Sequence, residues 1–281
     1  MIKKIALLFD ENKEYKTETI EKAVSVLAAY DVQIFISSKI KGHIKNNNVN
    51  FFDDISEMIS SSDASVVFGG DGSIIYFSKL CAKFNKPILG INTGKMGFLS
   101  TIEKSETDEL KRLVNGDYIT ENHFLLEINH NNENFLALNE LSVNRGSFSR
   151  MLDFEIYKSG ERILSFRADG VIVSTPAGST AYSFSAGGPI IDNNVNCVAV
   201  TPVCPQEISC RPIILSCEDE ISIKSCGEAI LNADGVGKSA KLNGEMIKIK
   251  KADAAVKFIR FSKNHFYKNF EKKILKRGVK P

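Results

Sequence analysis

Short apolar runs alternate with helical patterns over the first 118 residues. The runs IALLF, VQIFIS, ASVVF and KPILGIN are compact and apolar, as expected of buried strands. Between them, TIEKAVSVLAAY has the apolar residues Ile20, Ala23, Val24, Leu27 and Ala28 at helical spacing, and DDISEMIS, SIIYFSKLCAKF and TDELKRLVNG also read as helices. Strands that alternate with helices predict an α/β N-terminal lobe with a Rossmann-like parallel sheet.

The pattern changes to β structure from about Phe124. FLLEINH and FLALNELSV predict one hairpin, LDFEIY and RILSF predict another, and the later runs VAVTPV, EISIKS, KSAKLNGEMIKIK and AVKFIRF continue the alternation. We therefore expect a mainly antiparallel β C-terminal lobe. The predicted domains are residues 1–118, 119–260 and a C-terminal helix at 261–281, whose packing partner the pattern does not identify.

Composition narrows the class of protein. The chain of 281 residues is 43% hydrophobic and 25% charged, which is typical of a soluble globular protein. A net charge of +2 gives no reason to expect nucleic acid as a partner. No apolar run is long enough to cross a membrane, and MIKKIALLF leads into charged residues without an export cleavage site, so we expect a cytoplasmic protein without a membrane partner.

Cysteine and histidine give no metal or disulfide pattern. Six cysteines include no CxxC pair, so we interpret them as small buried hydrophobic residues. Four histidines lack any HExxH-like spacing, and we expect each to lie at the surface or in a loop.

The stretch VVFGGDGSIIY joins a strand to a helix through a glycine-rich turn. Such a turn can hold a phosphate on backbone N–H groups, which makes Gly69, Gly70 and Gly72 candidate phosphate-binding residues. Asp71 stands where a phosphate loop usually carries lysine, and its simplest structural role is that of a helix N-cap.

Residues 174–190, STPAGSTAYSFSAGGPI, form a second candidate site. Small residues allow a ligand to lie against the backbone, hydroxyl groups can contact ribose or phosphate, and Tyr182 can cover a ring. A linker has a similar composition, but this stretch follows the strand GVIVS directly inside the β-rich lobe.

Two acidic positions interrupt strand patterns. Asn139 and Glu140 lie within FLALNELSVN, and Arg167 and Asp169 lie within RILSFRADGVIVS. Either interruption could be a bulge or a turn. Together with GGDG they supply carboxylates without histidine or cysteine, which suits the binding of sugar hydroxyls better than acyl transfer or zinc hydrolysis.

The order of these motifs resembles the NAD kinase family. The matching elements are GGDGS at 69–73, GINTGKMGFLS at 90–100, LNE at 138–140, RADG at 167–170, TPAGSTAYSFSAGGPI at 175–190 and ADG at 233–235. The serine- and glycine-rich segment is the specific element, since diacylglycerol and sphingosine kinases share GGDG.

The resemblance implies phosphorylation of the adenosine-ribose 2′-hydroxyl of NAD to give NADP. ATP or another donor would supply the phosphate, a divalent cation such as Mg²⁺ would be the cofactor, with no protein residue assigned as its ligand, and a homodimer or homotetramer is implied. By position, Asp71 matches the catalytic aspartate, and the substrate-binding positions are Asp71, Gly72, Phe98, Asn139, Glu140, Arg150, Arg167, Asp169, Thr180, Ala181, Tyr182, Ser183 and Ser185.

The sequence departs from the family pattern at some positions, and two other functions are compatible with its motifs. The usual GGDGT is GGDGS here, and Val236 stands where many members have glutamine, so that contact is not carried over. A GGDG-type lipid kinase and a dinucleotide-binding regulator without turnover are the alternatives. The sequence leaves open the preferred donor, NAD against NADH, feedback and the oligomeric state.

Overall fold

The chain forms two units in a computed structural model that describes residues 2–10, 17–44, 48–94, 97–146, 150–235 and 239–271. The first unit is Met1–Asn122 together with Ala255–Pro281, and the second is His123–Ala254. The sequence places the lobe ends at 118 and 260, whereas the observed first unit includes the last residues of the final strand.

The first unit is built on a parallel sheet. Its own strands are β1 (Lys4–Phe9), β2 (Gln33–Ser37), β3 (Val49–Phe52), β4 (Ala64–Gly69), β5 (Ile88–Asn92) and β6 (Ile102–Glu103). The first five pair in parallel in the order β3, β2, β1, β4, β5, and β6 pairs with β5. The predicted parallel sheet is confirmed, although β3 and β6 were not among the expected strands.

The α-helices among the described residues are α1 (Thr17–Ala28), α2 (Ile55–Ser61), α3 (Asp71–Lys83), α4 (Leu110–Asn115), α5 (Tyr182–Ser185) and α6 (His265–Phe270). The helices α1 to α4 of the first unit bury apolar side chains, α6 buries none, and α5 lies in the second unit. Helix α1 buries Ile20, Ala23, Val24 and Leu27 of the predicted face, whereas Ala28 is half-buried. Residues 272–281 of the expected C-terminal helix lie outside the described residues.

The second unit is mainly antiparallel, as predicted. Its strands are β7 (Ile119–His130), β8 (Glu133–Ala137), β9 (Glu140–Arg145), β10 (Leu152–Lys158), β11 (Glu161–Ala168), β12 (Gly170–Ser174), β13 (Cys197–Val203), β14 (Ile213–Ser216), β15 (Ile221–Ser225), β16 (Glu228–Ala233), β17 (Ser239–Asn243) and β18 (Met246–Arg260). One sheet has the order β14, β13, β12, β9, β16, β17, and in a second layer β11, β10, β15 and β18 pair in turn. The strand β18 ends in the first unit, where Phe258 pairs in parallel with Ile88 of β5.

Both predicted hairpins form. The strands β10 and β11 are joined by Ser159 and Gly160, which both have positive φ angles, 49° and 88°. Two successive left-handed residues match the twist of an antiparallel pair, and glycine adopts this conformation without strain. The strand predicted over FLALNELSV is divided, because β8 ends at Ala137 and β9 begins at Glu140.

Two expectations about buried residues need correction. Cys81, Cys197 and Cys217 are buried as predicted, but Cys204 and Cys226 are exposed, and all six cysteines are free. His123 was expected at the surface and is instead buried in β7, where its position points inward on an alternating strand. Among the described residues, no helix has the length and hydropathy required to cross a membrane.

Candidate active site

The turn GGDG connects β4 to α3. A Cβ atom at Gly69 would lie 2.5 Å from Cβ of Ser73, so the chain can turn this tightly only with glycine. The N-cap is Gly70 and not Asp71, which is the first residue of the helix, and the Gly70 carbonyl accepts hydrogen bonds from the N–H groups of Ser73 and Ile74. The earlier N–H groups of the first turn have no acceptor within the helix, and this end of the helix therefore favours an anion.

The carboxylate of Asp71 is held by the backbone of a second loop. Oδ2 accepts from Phe98 N at 2.7 Å, and Oδ1 accepts from Leu99 N at 3.1 Å. A side chain at Gly97 would overlap this carboxylate. The loop after β5 thus fixes the orientation of Asp71, and Phe98 is placed beside it by the same bonds. Lys95 and Met96 of this loop lie outside the described residues.

In the second unit, Asp234 organises the turn that carries Asn139 and Glu140. Its Oδ1 accepts from the N–H groups of Asn139 at 2.7 Å and Glu140 at 3.3 Å, and its Oδ2 accepts from Leu138 N at 3.1 Å. In the sequence, ADG at 233–235 is a matching motif that predicts no role for Asp234. The only feature of the sequence that singles out Asp234 is its place before a glycine at the end of a strand. The three residues whose N–H groups donate to it lie more than 90 positions earlier in the chain.

Glu140 is a buried carboxylate, 6% exposed. Burial, and secondly the negative charge of Asp234, raise the pKa of Glu140 to about 7, while a hydrogen bond from the backbone of Tyr182 opposes this shift. Within the described part of the chain, Oε2 of Glu140 and Oδ1 of Asn139 are buried without a hydrogen-bond partner. Two neighbouring buried acceptors of this kind require donors, and a ligand with hydroxyl or amino groups would supply them.

The segment after β12 packs its backbone directly on this turn. Thr175 Oγ1 donates to Leu138 O at 2.6 Å, and Thr175 N donates to Asn139 O at 2.8 Å. A Cβ atom at Gly178 would overlap Asn139 O, so glycine is required for this contact. The small residues of the segment therefore bring two stretches of backbone together beside the buried acceptors.

The predicted contacts at 180–185 have different environments. Thr180 and Ala181 are half-buried, Ser185 is exposed, and the ring of Tyr182 is 41% exposed. Burial raises the pKa of Tyr182, and the negative charges of Cys204, Glu140 and Asp169 raise it further. The backbone of Tyr182 also donates a hydrogen bond to Glu140. Ser183 is fully buried, and its hydroxyl shares a 3.0 Å hydrogen bond with Thr201 inside the unit.

The remaining predicted residues lie around the end of β11. Asp169 forms an ion pair with Arg145, with Nε 2.6 Å from Oδ1, and both side chains are about one-third exposed. Arg167 and Arg150 are exposed. The structure thus groups Gly69, Gly70, Asp71, Gly72 and Phe98 in the first unit, and it groups Asn139, Glu140, Asp169 and Tyr182 in the second.

The described residues contain no group of three or more His, Cys, Asp and Glu side chains arranged to hold a metal ion. Mg²⁺ is commonly bound through one or two carboxylates together with substrate phosphates rather than in an all-protein cage. Asp71 is a carboxylate beside a phosphate-type turn, so this donor set is compatible with an Mg²⁺ ion that arrives with a phosphate ligand.

Two family models match the chain. The ATP-NAD kinase N-terminal domain matches residues 5–118, and the ATP-NAD kinase C-terminal domain matches residues 138–261. A curated NAD kinase of Caldanaerobacter subterraneus is 33% identical over 98% of this chain and 100% of its own length. A curated NAD kinase of Clostridium beijerinckii is 38% identical over 84% of this chain and 87% of its own length.

Solved structures have the same fold. An NAD kinase from Archaeoglobus fulgidus in complex with ATP has a TM-score of 0.74 and 28% identity, over 99% of this chain and all of that one. A yeast NADH kinase complexed with NADH has a TM-score of 0.86 over 100% of this chain and 89% of that one. The identity to the yeast protein is 22%, and this match concerns the fold alone.

Proposed function

This chain belongs to the NAD kinase family and is a phosphotransferase that converts NAD to NADP, and we propose that Asp71 is its catalytic residue. The observation that carries this assignment is the Asp71 carboxylate itself. It is held by two backbone N–H groups at the start of a helix that follows a glycine-rich turn.

In the proposed reaction, Asp71 orients the adenosine-ribose 2′-hydroxyl of NAD and accepts its proton. The hydroxyl oxygen forms a bond to the terminal phosphorus of the donor, and the bond from that phosphorus to the leaving phosphate oxygen breaks. Phosphoryl transfer depends mainly on positioning and charge stabilisation, and the hydroxyl proton leaves late, so an orienting carboxylate is sufficient. The two backbone bonds give Asp71 the fixed orientation that this role requires.

ATP is the proposed donor, and the N–H groups at Gly70, Asp71 and Gly72 are proposed to bind its phosphates. A glycine-rich turn at a helix N-terminus offers such groups without side-chain obstruction, and a Cβ atom at Gly70 or Gly72 would meet nothing within 4 Å. A bound Mg²⁺ would offset the negative charge of the phosphates. The related archaeal NAD kinase was solved with ATP.

In the second unit, Asn139 and Glu140 are proposed to bind NAD through its amino and hydroxyl groups. Their unpartnered buried oxygens support this proposal, because burial without donors costs about 1–3 kcal/mol per group. The exposed ring of Tyr182, whose backbone bonds to Glu140, is suited to stacking on a ligand ring. The exposed Ser185, Arg167 and Arg150 are proposed as further contacts.

A homo-oligomer and a cytoplasmic location complete the proposal. Eleven large hydrophobic side chains are exposed among the described residues, and six of these lie between positions 182 and 214. Exposed apolar side chains are thus concentrated in the second unit, which carries the edge strand β14. Such a surface supports an interface with a second copy of the chain. Six free cysteines, two of them exposed, fit the reducing conditions of the cytoplasm.

The assay that tests the proposal is NADP formation from NAD, ATP and Mg²⁺. We expect Asp71→Asn to lower kcat by at least 100-fold, since the amide cannot accept the proton. Asp63→Asn is the matched control, because the Asp63 carboxylate also accepts two backbone N–H groups, Lys3 N at 2.7 Å and Lys4 N at 2.9 Å. Near-normal turnover of folded Asp71→Asn would refute the role of Asp71, and NAD binding without turnover in the unmodified protein would indicate a regulator.

A further inference from the structure

The loop that binds Asp71 through its N–H groups is bound in turn, through its carbonyl groups, by side chains near the C-terminus. The segment Phe98–Thr101 directs the N–H groups of Phe98 and Leu99 to Asp71, and its carbonyl groups accept hydrogen bonds from the C-terminal part of the chain. Arg260 Nη1 donates to Leu99 O at 2.7 Å, Asn269 Nδ2 to Phe98 O at 3.3 Å, and His265 Nε2 to Ser100 O at 2.9 Å. All these residues belong to the first unit.

Arg260 is the most buried of these donors. It is 2% exposed, and its guanidinium packs over the ring of Phe258 at 4.5 Å from the ring centroid. Nε donates to Oε2 of Glu121 at 3.0 Å, and Nη1 also contacts Oγ1 of Thr101 at 3.2 Å. Burial lowers the pKa of Arg260, and the charges of Glu121 and Asp71 oppose this shift.

A buried ion pair is a poor means of stabilising a fold, because desolvation of both charges cancels much of their attraction. Arg260 does more than pair with Glu121, since its planar guanidinium also fixes the Leu99 carbonyl. The N–H group of the same residue, Leu99, donates to Asp71. The Arg260 guanidinium and the proposed catalytic carboxylate are thus joined through a single residue.

We propose that Arg260 is a positioning residue for phosphoryl transfer, acting on Asp71 through the Leu99 peptide. This inference rests on the proposed role of Asp71. Loss of the guanidinium frees the Leu99 carbonyl, the Phe98–Ser100 backbone shifts, and the N–H groups that orient Asp71 move with it. A displacement of about 1 Å at a reacting group can lower a rate by about 100-fold.

The test is Arg260→Met combined with Glu121→Gln, which removes the ion pair without leaving a buried unpaired carboxylate. We expect kcat to fall 10- to 100-fold while the dissociation constant of NAD, measured by calorimetry, changes less than threefold. A purely structural pair would not lower kcat in a variant that folds and binds NAD normally.

Arg112→Met is the matched control. Arg112 also donates to a backbone carbonyl, Phe261 O at 3.2 Å, pairs with a carboxylate, Asp117, and packs over an aromatic ring, Phe261 at 4.5 Å. We expect this variant to keep kcat within twofold. A folded double variant with unchanged kcat overturns the inference. Failure of the proposed function is a separate result, in which the unmodified protein forms no NADP.

Discussion

At the scale of single residues, the missing Cβ of Gly97 keeps space for the Asp71 carboxylate. A methyl group there would overlap that carboxylate, whereas a Cβ atom at Gly94, in the same loop, would meet nothing within 4 Å. We therefore expect Gly97→Ala to lower kcat about 10- to 100-fold through displacement of Asp71, and Gly94→Ala to keep kcat within threefold. Steady-state kinetics on both variants, with thermal melts to confirm folding, would decide this; equal effects would contradict the packing argument.

Glu140 gives a second residue-scale prediction, on stability and pH. Its pKa rises from 4.5 to about 7 on folding, so the folded state binds the proton more tightly. This tighter proton binding raises the free energy of unfolding below pH 4.5. The gain is lost as the pH rises through about 7, which lowers the free energy of unfolding by ~3 kcal/mol. We expect Glu140→Gln to remove this loss, so that the variant gains stability over the unmodified protein between pH 5 and pH 8.

Urea unfolding at both pH values measures the effect, and Glu155→Gln is the contrasting variant. Hydrogen bonds from Tyr157 and then Arg162 lower the pKa of Glu155, so its linkage to pH has the opposite sign. If Glu140→Gln showed the same pH dependence of unfolding as the unmodified protein, Glu140 would not titrate in this range.

At the scale of elements, Asp234, which directly follows β16, supports the turn between β8 and β9. Asp234 has a φ angle of 56°, a conformation that asparagine also tolerates, so Asp234→Asn is expected to fold. The variant loses the charge that strengthens three backbone hydrogen bonds and also loses the charge that raises the pKa of Glu140. We expect NAD binding to weaken about 10-fold at pH 8, measured by calorimetry. Unchanged affinity would mean that the turn holds its shape without Asp234.

The same elements show how far sequence reasoning reaches. The strand–turn–helix around Asp71 and the interruption at Asn139 and Glu140 were predictable, because turn residues and hydrophobic periodicity are local signals. The partners of Asp71 were not, since Phe98 and Leu99 follow 27 and 28 positions later and donate through the backbone, which carries no side-chain signal. The alternation in AVKFIRF predicted a strand, but it contained no information that Phe258 would pair with Ile88 of the first unit.

At the scale of the whole molecule, the exposed apolar residues of the second unit set an expectation for assembly. Ile214 of the edge strand β14 is 48% exposed, and Ile208, shortly before it, is 85% exposed. We expect the protein to associate through this face, and Ile208→Lys with Ile214→Lys to shift the mass toward a single chain, because lysine ammonium groups resist burial. Light scattering coupled to size exclusion at micromolar concentration measures the mass.

The control is Ile163→Lys, because Ile163 lies on a different edge strand, β11, and is 40% exposed. This variant is expected to leave the mass unchanged. A double variant that kept the mass of the unmodified oligomer would place the interface elsewhere, and an unmodified protein that eluted as a single chain would contradict self-association.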